Sequence, residues 1–382
     1  MAGKTIAILG AGTGGLVAAS RLRRMLDSEH RIVLINRSPV YTFEPSLTRV
    51  MLGERSAGRI SRDLRALAKK GIDFRTAEVT GINAEAQKVN IESGVVAYDY
   101  LVVALGADYS GEDVPGLGCA WSFYHADGAE ALREELAKFT GGRIAVVAPR
   151  LPYKCPPALY EGAMLLDHYF RRRKLRDRVD IHVYTPEPAP LRAAGEAIGA
   201  RVLEMLSARG IGFTGGVELQ TVDQPSRALN FGQTQAEFDM LVAVPVHRAP
   251  HVLTKSGLLP EGRWVTVDRE TLATALPNVY AIGDVTEVPL ANGAMAPKSG
   301  VFAHGEAEVV ARNIAAEVRG ADPIWAFGGQ GACFMETGGG KAAYITGKFF
   351  AEPAPLVEMR GPSRTMRLAK SGFERVWLWR WF

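Results

Sequence analysis

The sequence predicts an α/β fold of two Rossmann-like domains followed by a smaller C-terminal region. The run KTIAIL at 4–9 precedes Gly10, Gly12 and Gly15. LVAASRLRRML follows with helical apolar spacing, and a second apolar run, RIVLIN, ends at Asn36. This is the strand, tight loop, helix, strand order of a mononucleotide-binding unit. Residues 140–250 repeat the alternation: GRIAVVAP, the helical stretch YEGAMLLDHYFRRRKL, VDIHVYTP, the helical stretch GEAIGARVLEMLSARG, and DMLVAVPV. The two domains resemble each other in architecture, and no tandem repeat or low-complexity block is present.

The glycines of the first loop have distinct roles. One allows the tight turn, one lets the backbone approach a pyrophosphate, and one lets helix and strand pack closely. The helix N-terminus offers amide donors to phosphate. Asn36 replaces the usual acidic residue at the end of the second strand, where its amide can reach a ribose hydroxyl or simply end the strand. YDYLVVALGADY places apolar residues before Gly106, and PNVYAIGDVTEVP ends a strand at Gly283 and Asp284. Strand ends are where an open α/β sheet presents ligands, so Asp284 is read as a hydroxyl contact rather than only a turn. SGVFAHGEAEVVARNIAAEVRG reads as a helix despite its early glycines. The expected division is therefore 1–110 with 275–320 as one discontinuous domain, 111–274 as the second, and 321–382 as the C-terminal region.

Composition narrows the function. The chain has 382 residues, 47% of them apolar, and a formal charge of +4, enough to bury substantial cores but too weakly basic to demand an anionic partner. RRRK at 171–174 is short and reads as a solvated helix end, so nucleic acid is not expected as a partner. Three cysteines cannot build the framework of a small disulfide-rich domain, though one functional pair is possible. The start has no signal-peptide pattern and no apolar run reaches the roughly 20 residues that span a bilayer. The expectation is a soluble or peripheral membrane protein at the cytoplasmic face. The histidines show no metal-ligand spacing, so no metal is expected.

One segment departs from the dinucleotide pattern. Where the second domain would place a glycine-rich phosphate loop, it has PRLPYKCPPALYE, stiffened by proline and carrying Cys155. Cys333 lies in GGQGACFMETGGG, where glycine permits close backbone approach. By themselves such cysteines are more often small buried hydrophobes than catalysts.

The ordered set GAGTGG, VVALGAD, YKCPPALYE, YAIGDVTEVP, MAPKSG and FERVWLWRWF resembles the sulfide:quinone oxidoreductase and flavocytochrome sulfide dehydrogenase family of flavoproteins over nearly the whole chain. The first motif and AIGD are widespread among flavoproteins, including NADH dehydrogenases, whereas CPPALYE is more discriminating. The resemblance implies two domains of the FAD/NAD(P)-binding type, with FAD held by Gly10, Gly12, Gly15, Asn36, Val79 (through its backbone, near adenine), Gly106, Gly283 and Asp284. Lys298 falls near the flavin ring, where a positive charge would favour reduction; its other reading is a helix-start residue.

The resemblance also maps Cys155 and Cys333 onto a redox pair that oxidises sulfide to polysulfide or zero-valent sulfur. Glu161 is then a candidate acid/base, or else a solvated first-turn carboxylate. His304 lies on the helix after PKSG and either approaches the flavin or packs the helix. Cys119, in PGLGCAWSFYHADG, matches a third family cysteine only insecurely, and buried packing is its stronger reading.

Quinone is the leading electron acceptor because the basic, aromatic ending resembles a membrane-associating region able to meet anionic headgroups. Pro245, Phe302 and Phe334 are loose candidates for an apolar channel. The alternatives are a cytochrome c-linked sulfide dehydrogenase, an NADH:quinone oxidoreductase, for which PRLPYKC lacks the phosphate-loop glycines, and a non-catalytic flavoprotein scaffold.

Overall fold

A computed structural model describes residues 3–259 and 264–382. Five parallel strands form the first sheet, in the order Val279–Ala281, Tyr100–Val103, Thr5–Leu9, Arg31–Asn36 and Asp73–Thr76. Its central strands are near-continuous apolar runs because both faces are covered, and Ile6, Ile8, Leu9, Ile32 and Leu34 are buried. Helix α1 (Thr13–Met25) follows the glycine loop at once. The sequence reading omitted the edge strand Asp73–Thr76, short helix α2 (Leu47–Met51) and a three-stranded antiparallel sheet over residues 79–97.

Helix α3 (Ala126–Lys138) leads into the second sheet, which orders Ile211–Gly215, Val179–Thr185, Gly142–Val147 and Met240–Ala243, all parallel. Its crossover helices are α4 (Pro157–Arg172) and α5 (Glu196–Ser207). Residues Asp108–Ser110 pair antiparallel with Val246–Arg248, tying together the outward and return connections between the two sheets. Helix α6 (Gly300–Val318) then packs against α1 over the first sheet.

The C-terminal region is a three-stranded antiparallel sheet, Gln330–Gly338, Lys341–Lys348 and Leu356–Ser363, ending in helix α7 (Arg364–Trp381). Ser363 caps α7 by accepting the Met366 amide. The helix turns Trp377, Leu378 and Trp381 inward while Leu368, Val376 and Trp379 face outward. One continuous apolar core joins α1, α4, α6, the C-terminal sheet and α7. It is this packing that brings Cys333 to the second domain's cysteine. Among the described residues, no helix is long and apolar enough to cross a membrane.

Candidate active site

The first glycine loop separates into three physical roles. Gly10 has φ +93°, and a Cβ there would lie 2.3 Å from the Ala104 carbonyl oxygen; at Gly15 it would lie 1.8 Å from the Gly10 carbonyl oxygen. Both positions exclude a side chain. At Gly12 a Cβ would meet nothing within 4 Å, so that glycine faces open space at the N-cap of α1. Free amide donors, the helix dipole and open space are what a pyrophosphate needs.

Gly106, at φ +70°, also faces open space. Asp284 lies half-buried just past the strand Val279–Ala281, and its Oδ1, itself shielded from solvent, has no hydrogen-bond partner. An orphaned buried carboxylate oxygen is costly unless a ligand donates to it, and a polyhydroxyl chain supplies such donors. Burial raises the Asp284 carboxyl, while Lys154 and Lys298 oppose the shift. The residues therefore fit FAD.

Lys298 is buried, and its Nζ donates to the carbonyls of Asp284 at 2.8 Å and Thr286 at 2.7 Å. It stands 3.5 Å from the centre of the Trp264 ring. Burial lowers this amine to about 8, against the raising effects of Asp284, Glu287 and Glu306. Asn36 is spent differently from expectation: its Oδ1 accepts the Ala11 amide at 2.9 Å and its Nδ2 donates to Ser38 at 2.8 Å, bracing the glycine loop. Val79 opens an antiparallel strand beside the same sheet, half-buried against its apolar face.

The second domain has no phosphate loop. Its segment 149–155 instead ends at Cys155, a non-glycine residue held at φ +53°, a sparsely populated conformation sustained by its surroundings. The Cys155 amide donates to the Lys298 carbonyl at 2.7 Å, and the Cys155 carbonyl accepts the Ala158 amide at the start of α4. The sulfur-bearing turn is thus fastened directly to the cofactor cradle.

Cys333 reaches the same point from the strand Gln330–Gly338. Both cysteines carry free thiols; Cys333 Sγ donates to the Phe334 carbonyl at 3.5 Å, and the two thiols lie near enough that each shifts the other's ionisation. The neighbouring Cys155 lowers Cys333, while Cys333 and burial together raise Cys155. Cys119 lies elsewhere, half-buried against the apolar cluster of Val114, Leu117 and Leu219.

Glu161, six residues after Cys155 on α4, is buried rather than solvated, which removes that reading of it. Its Oε1 accepts from Thr48 Oγ1 at 2.8 Å and Lys370 Nζ at 2.7 Å, while its Oε2 accepts the Glu336 amide at 3.1 Å. Helix α7 supplies Lys370, and Glu336 stands three residues beyond Cys333. Glu336 in turn pairs with Arg49 at 2.6 Å, Arg367 at 2.5 Å and Lys370 at 3.3 Å.

This buried ionic cluster is not apparent in the sequence. Its only local signal was the spacing of Arg367, Lys370, Glu374 and Trp377 on one helical face. His304 packs against Trp377 and Trp381 at ring distances of 5.4 and 5.7 Å. Among the described residues, no group of His, Cys, Asp and Glu could hold a metal ion.

A second missed feature explains the altered loop. An acidic residue after the second strand of a dinucleotide unit ordinarily holds a ribose; here Glu187, just past Val179–Thr185, is buried. Its Oε2 accepts the hydroxyls of Tyr153 at 3.1 Å and Tyr160 at 2.7 Å. Tyr153 comes from the segment that replaces the phosphate loop. The protein's own tyrosines therefore cover the carboxylate that a nicotinamide dinucleotide would need.

Residues 129–187, which include Cys155 and Glu161, match the central domain of the sulfide dehydrogenase [flavocytochrome c] flavoprotein chain. Mitochondrial sulfide:quinone oxidoreductase of Mus musculus is 26% identical over 91% of this chain and 79% of its own length. Sulfide-quinone reductase of Aquifex aeolicus is 26% identical over 99% of this chain and 91% of its own. The X-ray structure of sulfide:quinone oxidoreductase from Aquifex aeolicus superposes with a TM-score of 0.88 at 23% identity, covering 99% of this chain and 91% of that one. Residues 4–148 and 160–307, most of the chain and both parallel sheets, match a single broader family. The chain belongs to the pyridine nucleotide-disulphide oxidoreductase family.

Proposed function

We propose that the protein is an FAD-dependent oxidoreductase that oxidises sulfide at the Cys155–Cys333 pair and delivers the electrons to a quinone. The observation that carries this reading is the approach of Cys333, on its strand, to Cys155, whose turn is fastened to Lys298 beside the cofactor cradle. The likeness to sulfide:quinone oxidoreductases over nearly the whole chain supports the same substrate and acceptor.

Gly10, Gly12, Gly15, Gly106, Asp284 and Lys298 would hold FAD, with Gly283 shaping the turn and Asn36 and Val79 flanking the adenosine end. Hydrosulfide attacks one sulfur of the Cys155–Cys333 disulfide; the S–S bond breaks, one cysteine becomes a persulfide, and the other leaves as a thiolate. The persulfide and thiolate anions then lose two electrons together as a sulfur bridge closes between them. FAD, when bound, supplies the two-electron acceptor for that oxidation. Further hydrosulfide attack releases polysulfide or another zero-valent sulfur species. The lowering of Cys333 by its neighbour Cys155 favours the thiolate on that sulfur.

An open pocket of about 350 Å³ on the Cys333 strand, lined by Val301, Gly331, Ala332 and Gly347 with Gln330, Thr346 and Lys348 at its polar side, has room for a quinone head group. Helix α7 offers Leu368, Val376 and Trp379 to the outside beside Arg375 and Arg380, a mixture suited to the surface of an anionic membrane. Cytochrome c is the acceptor in the second reading, favoured by the match to the flavocytochrome c chain at 129–187.

The test is anaerobic stopped-flow spectroscopy of the FAD-loaded protein with sulfide and, separately, with NADH. The reading requires bleaching of the flavin by sulfide and no comparable bleaching by NADH. Reduction by NADH alone would overturn it.

A further inference from the structure

The buried carboxylate of Glu161 joins the two cysteine-bearing elements. It belongs to α4, which begins just after Cys155, and its Oε2 accepts the amide of Glu336 on the strand that carries Cys333. Its Oε1 takes Thr48 from α2 and Lys370 from α7. Lys370 is itself buried, and its ammonium lies between Glu161 at 2.7 Å and Glu336 at 3.3 Å. Without it, two buried carboxylates would face each other across the seam between helix and strand, a repulsion that low local polarity strengthens.

We propose that Lys370 is a positioning residue for the sulfur pair: by pinning Glu161 and Glu336 it holds the Cys155 helix against the Cys333 strand, so that the seating of α7 sets how readily the two sulfurs join. The inference rests on the dithiol reading above and gives Glu161 a holding role in place of proton exchange. The charges facing Lys370 are Glu161 from α4, Glu336 from the strand, and Arg49 from α2, which is bonded to Glu336 at 2.6 Å. Arg367 on α7 binds the other oxygen of Glu336 at 2.5 Å, so Glu336 keeps partners when Lys370 is removed while Glu161 keeps only Thr48 and a backbone amide. The electrostatic influence of Glu161 and Lys370 on both thiols places this clasp within range of the sulfurs.

The test is the dithiol–disulfide equilibrium of the full-length, FAD-loaded protein, poised anaerobically in mixtures of glutathione and glutathione disulfide. Closing the Cys155–Cys333 bond transfers two electrons and two protons to one glutathione disulfide, giving two glutathiones. The disulfide fraction is read by alkylation and peptide mass spectrometry. Lys370→Met is expected to lower the equilibrium constant about tenfold, the scale of coupling between groups in direct contact. Lys370→Arg is expected to stay near wild type, and Glu161→Gln added to Lys370→Met to recover most of the loss.

A wild-type equilibrium in Lys370→Met overturns the inference and leaves the dithiol reading intact. Failure of the wild type to form the Cys155–Cys333 disulfide at any glutathione ratio overturns the dithiol reading itself. Where Lys370→Met does not fold, Thr48→Val decides from the other side of the carboxylate: a shift of about threefold supports the clasp, and no shift overturns it.

Discussion

Placing the same methyl group at Gly12 and at Gly15 should separate cofactor binding from folding. At Gly15 the added Cβ lands 1.8 Å from the Gly10 carbonyl oxygen and 3.3 Å from Ile8 Cγ2, and the nearer of these is rigid backbone. The contact cannot be relieved by turning a side chain, so overpacking should cost at least about 2–3 kcal/mol and lower Tm by roughly 5 °C or more. Gly12 has φ −68°, which alanine adopts freely, and no atom within 4 Å of its Cβ position. Its apoprotein should therefore keep its stability to within about 0.5 kcal/mol. If that open space receives the pyrophosphate, the methyl group forces the phosphates off the amide donors, and losing one or two charge-assisted hydrogen bonds of about 1.5–3 kcal/mol each weakens FAD binding by at least about tenfold. Thermal melts of the two apoproteins and titration of FAD by flavin fluorescence give the two readings. Wild-type FAD affinity in Gly12→Ala, or a wild-type melt in Gly15→Ala, would refute the assignment of these glycines.

Glu306 should reveal itself by pH. It lies buried on α6 with Oε2 accepting the Gly283 amide at 2.6 Å, and burial raises it to about 7. The native apoprotein holds this proton over a range in which the unfolded chain has released it, so stability falls as pH rises from the unfolded value of about 4.5 towards 7. Glu306→Gln should stabilise the apoprotein relative to wild type by an amount that grows across that window, up to about 3 kcal/mol at pH 8; a difference independent of pH would contradict the assignment. On α7, Trp379 is 82% exposed, and Trp379→Ser should weaken binding to anionic phospholipid vesicles roughly tenfold or more, as expected from withdrawing an indole worth about 2 kcal/mol of burial. Its melting temperature should not change, and unchanged vesicle sedimentation would remove α7 as the membrane face.

The sequence made the repeating chemistry visible and the cross-chain chemistry invisible. Both parallel sheets were legible because their strands are short apolar runs separated by helical spacing, as in KTIAIL and GRIAVVAP. The places of Gly10, Gly12, Gly15 and Asp284 were legible because they sit in local turns at strand ends. The edge strand Asp73–Thr76 and the antiparallel sheet over 79–97 are built of four- to five-residue strands, and the one clear alternation, KVNI at 88–91, is too short to announce a sheet. Glu161 was singled out, yet its environment could not be foreseen: the residues that bury it, Thr48, Glu336 and Lys370, lie 113, 175 and 209 positions away. Asn36 was placed correctly at the strand end, but its amide serves the loop on both sides. The absent phosphate loop was readable as missing glycines, whereas Tyr153 and Tyr160 closing over Glu187 became apparent only once the fold placed them side by side.

The sulfur pair is central to the proposed function, and its most direct test is sulfide-driven flavin reduction in Cys155→Ser and Cys333→Ser, each loaded with FAD and followed anaerobically by stopped flow. Because both side chains lie outside the glycine loop and the Asp284 turn, each variant should retain FAD. Each should reduce it with sulfide at least about a hundredfold more slowly than wild type, as expected when an attacking or leaving sulfur is removed. FAD-loaded variants that sulfide reduces at the wild-type rate would contradict the two-cysteine chemistry.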